Sequence, residues 1–151
     1  MHTTHTTLAR SAAALGAALI LGASLTACSA IDAVTHSTTD AWSVTYEVSV
    51  DTDEPTELTA VRYLDQATRT EKREQVKQDS VTATPRGGGD ATWSVNSLVM
   101  VKDTTAIAAT PPEGRSATCR ILLDGEREIS SETGGPGEPV SCEAVAPLFE
   151  K

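Results

Sequence analysis

The sequence predicts an all-β domain, an immunoglobulin-like sandwich of two sheets with about seven or eight strands and one disulfide. Three observations lead there. In "WSVTYEVSV" (Trp42 to Val50), apolar and polar residues alternate strictly, and the apolar positions are β-branched or aromatic. Shorter runs of the same kind follow, divided by clusters of Gly, Pro, Asp and Ser. Cys119 and Cys142 each fall on the apolar side of their own run, where a disulfide would join two strands through the core.

Taken in order, the first strand has Trp42, Val44, Tyr46, Val48 and Val50 on one face and Ser43, Thr45, Glu47 and Ser49 on the other. "DTDEPTE" supplies a turn, and "LTAVRYLD" is a second strand with Val61 and Tyr63 together but a less regular alternation. "TRTEKREQVKQDSVT" is polar enough for a short helix. Its Thr and Val content and its place between strands favour an exposed edge strand, whose charges discourage pairing with a second molecule. "PRGGGDA" breaks the chain, and "TWSVNSLVMV" resumes it with Trp93, Val95, Val99 and Val101 on one face. "TTAIA" is a short strand ended by Pro111 and Pro112. "SATCRILLDGEREISSE" places Ala117, Cys119, Ile121 and Leu123 together, then reaches Asp124-Gly125, a hairpin signal followed by a charged segment that leaves the register open. After "TGGPGEP", the last strand brings Val140, Cys142 and Ala144 onto one face.

Upstream of these strands the composition changes. "SAAALGAALILGASL" (Ser11 to Leu25) is a continuous apolar run behind a polar start containing Arg10. It is shorter than the roughly 20 residues of a spanning helix, and small residues surround its end, which is the layout of a secretory signal peptide. Leu25-Thr26-Ala27-Cys28 resembles the bacterial lipobox, in which the cysteine receives a diacylglycerol thioether and becomes the first mature residue. This reading is favoured over a plain cleaved signal or an uncleaved anchor. A single acyl chain binds membranes only marginally, whereas two or three palmitate-type chains on Cys28 hold a domain there almost permanently. Residues 1–27 are thus expected to be a lipoprotein signal peptide, 28–41 a flexible linker, 42–146 the sandwich and 147–151 a C-terminal tail. Export implies an oxidising compartment, so of the three thiols one serves lipid and two close on each other.

The formal net charge of −9 repels phosphate backbones, which argues against a nucleic-acid partner. The three histidines fall at positions 2, 5 and 36, so the expected domain has none. With its two cysteines oxidised, it offers no His-based triad, thiol nucleophile or zinc site, and no cofactor is called for. Asp51, Asp53, Glu54 and Glu57 are oxygen donors close in sequence, but they lack the spacing and central Gly of a calcium loop and read as a solvated turn. "PRGGGD" does not continue into Gly-Lys-Ser/Thr and a helix, so it reads as a loop and not a phosphate cradle. Trp42 and Trp93 lie on apolar faces and read as core packing before they read as a sugar or lipid platform. No catalytic set emerges, and the expectation is a protein that is not an enzyme.

The landmarks "YEV" (Tyr46 to Val48), "VRYLD" (Val61 to Asp65), "WS" (Trp93-Ser94), "TCRILLDG" (Thr118 to Gly125) and "VSC" (Val140 to Cys142), in that order, resemble the MmpS family of small actinobacterial membrane proteins. The resemblance covers roughly Ser43 to Ala144. It implies a tethered extracytoplasmic β-sandwich in which Cys119 and Cys142 form the structural disulfide, with no catalytic residue. It further implies an accessory role beside MmpL-type transporters of the resistance-nodulation-division class, which export lipids and siderophores. Typical members are tethered by a transmembrane helix, where this chain carries the lipobox at Cys28. The expected partners are therefore membrane lipid, through acylated Cys28, and an envelope transporter of that class, at the extracytoplasmic face of the cell membrane. The alternative expectation is an independent lipoprotein that holds a hydrophobic molecule or wall polymer in a cavity or groove lined by Val, Leu and Ile.

Overall fold

Strict alternation makes the first strand the spine of the domain. In a computed structural model, which describes residues 40–149, Val44, Tyr46, Val48 and Val50 of β1 (Ala41–Val50) are all buried. Seven more strands follow: β2 (Thr56–Asp65), β3 (Glu74–Pro85), β4 (Ala91–Met100), β5 (Thr104–Thr110), β6 (Ala117–Leu123), β7 (Arg127–Thr133) and β8 (Val140–Val145). The fold is all-β, as expected. The expected leader, Cys28, His36 and nearly all of the expected linker lie outside the described residues.

The eight strands form one antiparallel sheet in the order β7-β6-β1-β4-β3-β2-β5-β8, rolled until it is nearly barrel-shaped. The two layers expected of a sandwich are the two halves of this sheet. They are joined where Thr84 and Pro85 of β3 pair with Thr92 and Ala91 of β4. The loop between them, Arg86 to Asp90, contains three consecutive glycines with φ of 87°, 88° and 95°, a backbone that other residues rarely adopt. β3 lies inside the strand order only through Thr84 and Pro85; its polar stretch up to Ala83 leaves the side away from β2 unpaired, the exposed edge expected from sequence. It pairs with β2 from Glu74 to Ala83, while β4 meets it only at its C-terminal end. Most of its side chains are exposed, which accounts for the density of Glu, Lys, Gln and Asp.

The uneven alternation of β2 has a specific cause. Opposite β5 the register slips between Thr59 and Arg62, and Ala60 sits at the slip with φ of 50°. The extra residue of this bulge turns Leu58 and Val61 onto the same inner face although they are three apart in sequence. A second slip lies between β6 and β7, where Ile121 faces Ser130 but Leu122 faces Glu128, leaving Ile129 as the extra residue. This settles the register after the hairpin. The hairpin turn itself has φ of 52° at Asp124 and 73° at Gly125, with the Glu126 N–H donating to the Leu123 carbonyl, a type I′ geometry whose twist suits the strands.

The interior is filled by side chains. Tyr46, Leu58, Ile107, Ile121, Leu123 and the valines of β1 and β2 are essentially inaccessible to solvent, with Trp42, Val76, Trp93 and Ile129 packed against them at the margins. A disulfide joins the last strand in the order to the strand beside β7 at the other end. Cys119 of β6 and Cys142 of β8 form a disulfide with Cα atoms 5.9 Å apart, both fully buried. It closes a loop of sequence separation 23, which the chain-entropy relation values at about 3 kcal/mol.

Candidate interaction surfaces

Two polar nodes inside the barrel hold its connections in place. The first is built on Tyr46, which β1's alternation directs inward. Its hydroxyl donates to the Leu64 carbonyl at 2.7 Å and accepts from the Thr105 hydroxyl at 2.5 Å, so β1, β2 and β5 meet at one oxygen. Burial raises the Tyr46 pKa above the ordinary phenol value, against the opposing effect of the Thr105 hydrogen bond. The Tyr63 ring, tilted against Tyr46 at 5.7 Å and against Trp93 at 6.0 Å, is also shifted upward by burial and then by the nearby Asp65 charge.

The second node explains why "WSVNSLVMV" is interrupted by Ser97 on its apolar face. The Ser97 hydroxyl donates to Asp65 Oδ1 at 2.6 Å and accepts from the Gln66 backbone N–H at 3.0 Å. Gln66, 2% exposed, in turn donates from Nε2 to the carbonyls of Glu71 (3.0 Å) and Arg69 (3.4 Å), holding the β2–β3 loop in a curled form. Among the described residues no group of three or more His, Cys, Asp or Glu side chains is placed to hold a metal ion.

The acidic turn after β1 has a local role. The Asp51 carboxylate accepts from the Ser116 N–H at 2.9 Å, and Arg115 donates to the Asp51 carbonyl at 2.9 Å, linking this turn to the β5–β6 loop. The outer faces of the strands carry shallow grooves. One of about 430 Å³ runs between the edges of β7 and β8, lined by Ser130, Glu132, Thr133, Pro139, Ser141 and Glu143. Another, about 230 Å³, lies over β5 between Arg62 and Glu143, floored by Ala106 and Ala108. The first is lined mostly by polar residues, and the second mixes Arg62, Gln75, Ser141 and Glu143 with Tyr63, Leu64 and Ile107 of β2 and β5.

The end of the barrel away from the start of β1 carries the acidic turn with Asp51, Asp53 and Glu54 and the loops with Arg86, Asp90, Glu113, Arg115 and Glu138. The end where β1 begins carries Arg69, Lys72, Arg73 and Lys102 together with Asp40, Glu71, Asp103, Asp124 and Glu126. Arg73 donates to the Thr104 carbonyl at 2.5 Å and lies 3.7 Å from Asp103, which fixes the β2–β3 loop against the start of β5.

Residues 146–149, which follow β8, lie against this same end. The Lys102 N–H donates to the Ala146 carbonyl at 2.8 Å, and the Ala146 N–H donates to the Asp103 carbonyl at 2.9 Å. Trp42 Nε1–H donates to the Pro147 carbonyl at 2.8 Å, and its ring stacks on Phe149 with centroids 4.0 Å apart. Both tryptophans read as core packing are half-buried and pack against the core, Trp93 beside Tyr63 and Trp42 at the rim with Phe149 stacked on it. Val145, Leu148 and Phe149 are exposed there. The apolar "PLF" after the last strand was the available signal for this rim.

Of the sites expected from sequence, the structure brings Cys119 and Cys142 together as a disulfide, and Cys28 lies outside the described residues. No protein-family model matches the chain, and comparison with curated proteins finds no relative.

Proposed function

We propose that this protein is a lipid-anchored, extracytoplasmic accessory module without enzymatic activity, tethered through acylated Cys28 and serving an envelope transporter in the manner of the MmpS family. The observation that carries the reading is the buried Cys119–Cys142 disulfide between β6 and β8. Such a bond persists in an oxidising compartment, and a signal sequence ending at Cys28 leads there. The lipobox accounts for the remaining thiol.

The filled interior supports a scaffold that works through its surface. A lipid or siderophore held between the halves would need the volume taken by Tyr46, Leu58, Ile107 and Leu123. Tethering raises the local concentration of the module around other membrane proteins, so a weak contact is sufficient for an adaptor. The test is cross-linking in intact cells followed by purification and partner identification. A polytopic transporter of the resistance-nodulation-division class is the expected partner. Repeated recovery of the protein without any polytopic membrane protein would remove the adaptor reading. Intact mass of the mature chain is expected to show acyl groups at Cys28 and two protons lost from Cys119 and Cys142.

A further inference from the structure

We infer that Trp42, Val145, Leu148 and Phe149 form a membrane-contacting rim, which seats the end of the barrel where β1 begins in the interfacial layer of the bilayer that holds Cys28. The inference rests on the lipid-anchor reading above and adds an orientation to it.

The large hydrophobic side chains exposed among the described residues are Val145, Leu148 and Phe149, at 61%, 58% and 40%. All three lie in one short stretch at one end of the barrel. The rim is held in a defined shape by the Trp42 indole on the Pro147 carbonyl, the Trp42–Phe149 stack and the backbone pairing of Ala146 with Lys102 and Asp103. Side chains fixed in this way need little further ordering when they meet another surface, which lowers the entropic cost of contact.

Lipid is the occupant that fits. The chain enters the domain at Asp40, two positions before Trp42. From Cys28 to Asp40, even a fully extended backbone reaches at most about 40 Å, so the end bearing the rim is the end confined near the bilayer. Aromatic residues concentrate at membrane–water interfaces, where an apolar ring and a polar edge are both accommodated. The acidic turn with Asp51, Asp53 and Glu54 sits at the opposite end, whereas the rim end carries both signs, Arg69, Lys72, Arg73 and Lys102 with Asp40, Glu71, Asp103, Asp124 and Glu126, so the contact is assigned to the apolar side chains and not to charge. Four side chains are too few for a stable protein interface, which buries about 800 Å² on each partner, but they suffice where a covalent lipid already supplies the affinity.

The two tryptophans provide a ruler. Val99 lies opposite Trp42, and Trp93 is further along the same strand, about 20 Å from the rim at the usual rise per residue. The acylated mature protein is reconstituted into phosphatidylcholine–phosphatidylglycerol vesicles whose acyl chains are brominated near their carbonyl ends. In the Trp93→Phe protein, Trp42 fluorescence is expected to be quenched. In the Trp42→Phe protein, Trp93 is expected to be unaffected. Leu148→Ser with Phe149→Ser is expected to abolish Trp42 quenching while the protein stays on the vesicles, with the thermal transition showing that the barrel is intact.

Acylated, vesicle-bound protein with unquenched Trp42 overturns the rim and leaves the anchor standing. A mature chain without acyl groups by intact mass overturns the anchor and the rim with it. Shielding of Trp42 only when a membrane protein is added, or only on self-association at high concentration, assigns the surface to a protein partner or a second copy and overturns the lipid assignment.

Discussion

The Thr105 hydroxyl donates to the Tyr46 hydroxyl at 2.5 Å in the core, and the Tyr46 hydroxyl in turn donates a hydrogen bond to the Leu64 carbonyl at 2.7 Å. One phenol thus ties three strands that belong to both halves of the rolled sheet. Replacing it by Phe leaves a buried carbonyl and a buried hydroxyl without their partner. Tyr46→Phe is expected to destabilise the domain by about 1–3 kcal/mol, measured by denaturant unfolding near neutral pH.

The same phenol sets an alkaline limit. Its pKa is raised in the folded protein, chiefly by burial, and Tyr63 is shifted in the same direction. An acid whose folded pKa is raised favours the folded state fully at pH below the unfolded value, about 10 for tyrosine. As pH rises beyond that value, the unfolded chain gives up the proton first, and stability falls until the folded pKa is passed. Unfolding curves taken from pH 8 upward should therefore show a decline that begins near pH 10. The decline should be shallower in Tyr46→Phe, and an unchanged slope would assign it to other groups.

The buried disulfide yields a third expectation. Cys119 and Cys142 are both fully enclosed, so reductant reaches them only when the barrel opens. Thiol labelling of the intact protein is expected to be negligible with reductant alone and complete with reductant plus denaturant. Cys119→Ala with Cys142→Ala removes the loop constraint worth about 3 kcal/mol and should lower the melting temperature accordingly. Rapid labelling of the folded protein would show that the β6–β8 side opens without global unfolding.

Much of the framework was legible because strand faces obey a period of two. Trp42 to Val50, Ala117 to Leu123 and Val140 to Ala144 declare their inward residues directly, and the positions of Cys119 and Cys142 follow from them. What was not legible depends on contacts distant in sequence. The union of the two halves rests on Thr84 and Pro85 meeting Thr92 and Ala91, and nothing in either segment alone announces it. Ser97 and Thr105 occupy inward positions where local pattern expects apolar residues, because their partners are Asp65, the Gln66 N–H and Tyr46. The rim escaped notice for a related reason. Phe149 acquires its place from Trp42, at the other end of the domain's chain.

Gln66 is expected to control the β2–β3 loop. Its amide nitrogen serves the carbonyls of Arg69 and Glu71, and its Oε1 is buried without a protein partner, so the side chain's value lies in its donor group. Gln66→Met keeps the length and loses both donations. The variant should be about 1–3 kcal/mol less stable. Trypsin should also cut it faster after Arg69, Lys72 and Arg73, at enzyme concentrations where the parent protein is stable. Equal cleavage rates would show that the Arg73 contacts to Thr104 and Asp103 are enough to hold the loop.

Ala60 provides a test of how β2 reconciles its sequence with its burial. Leu58 and Val61 are both fully buried, which two residues three apart cannot be on a regular strand. The bulge at Ala60 makes it possible, at the expense of holding an L-residue at φ of 50°. That conformation costs roughly 1–2 kcal/mol for a residue with a Cβ, while glycine adopts it freely but gives up about 0.5–1 kcal/mol in chain entropy. Ala60→Gly is therefore expected to stabilise the domain by about 0.5–1 kcal/mol, and Ala60→Val, branched at Cβ, to destabilise it. Deleting Ala60 removes the extra residue and forces a choice between burying Leu58 and burying Val61 with Tyr63. Expelling either set forfeits core packing worth about 2–5 kcal/mol for each large side chain. A stabilised deletion variant, seen in the same unfolding experiment, would mean that the strand reaches its native faces by a route other than this bulge.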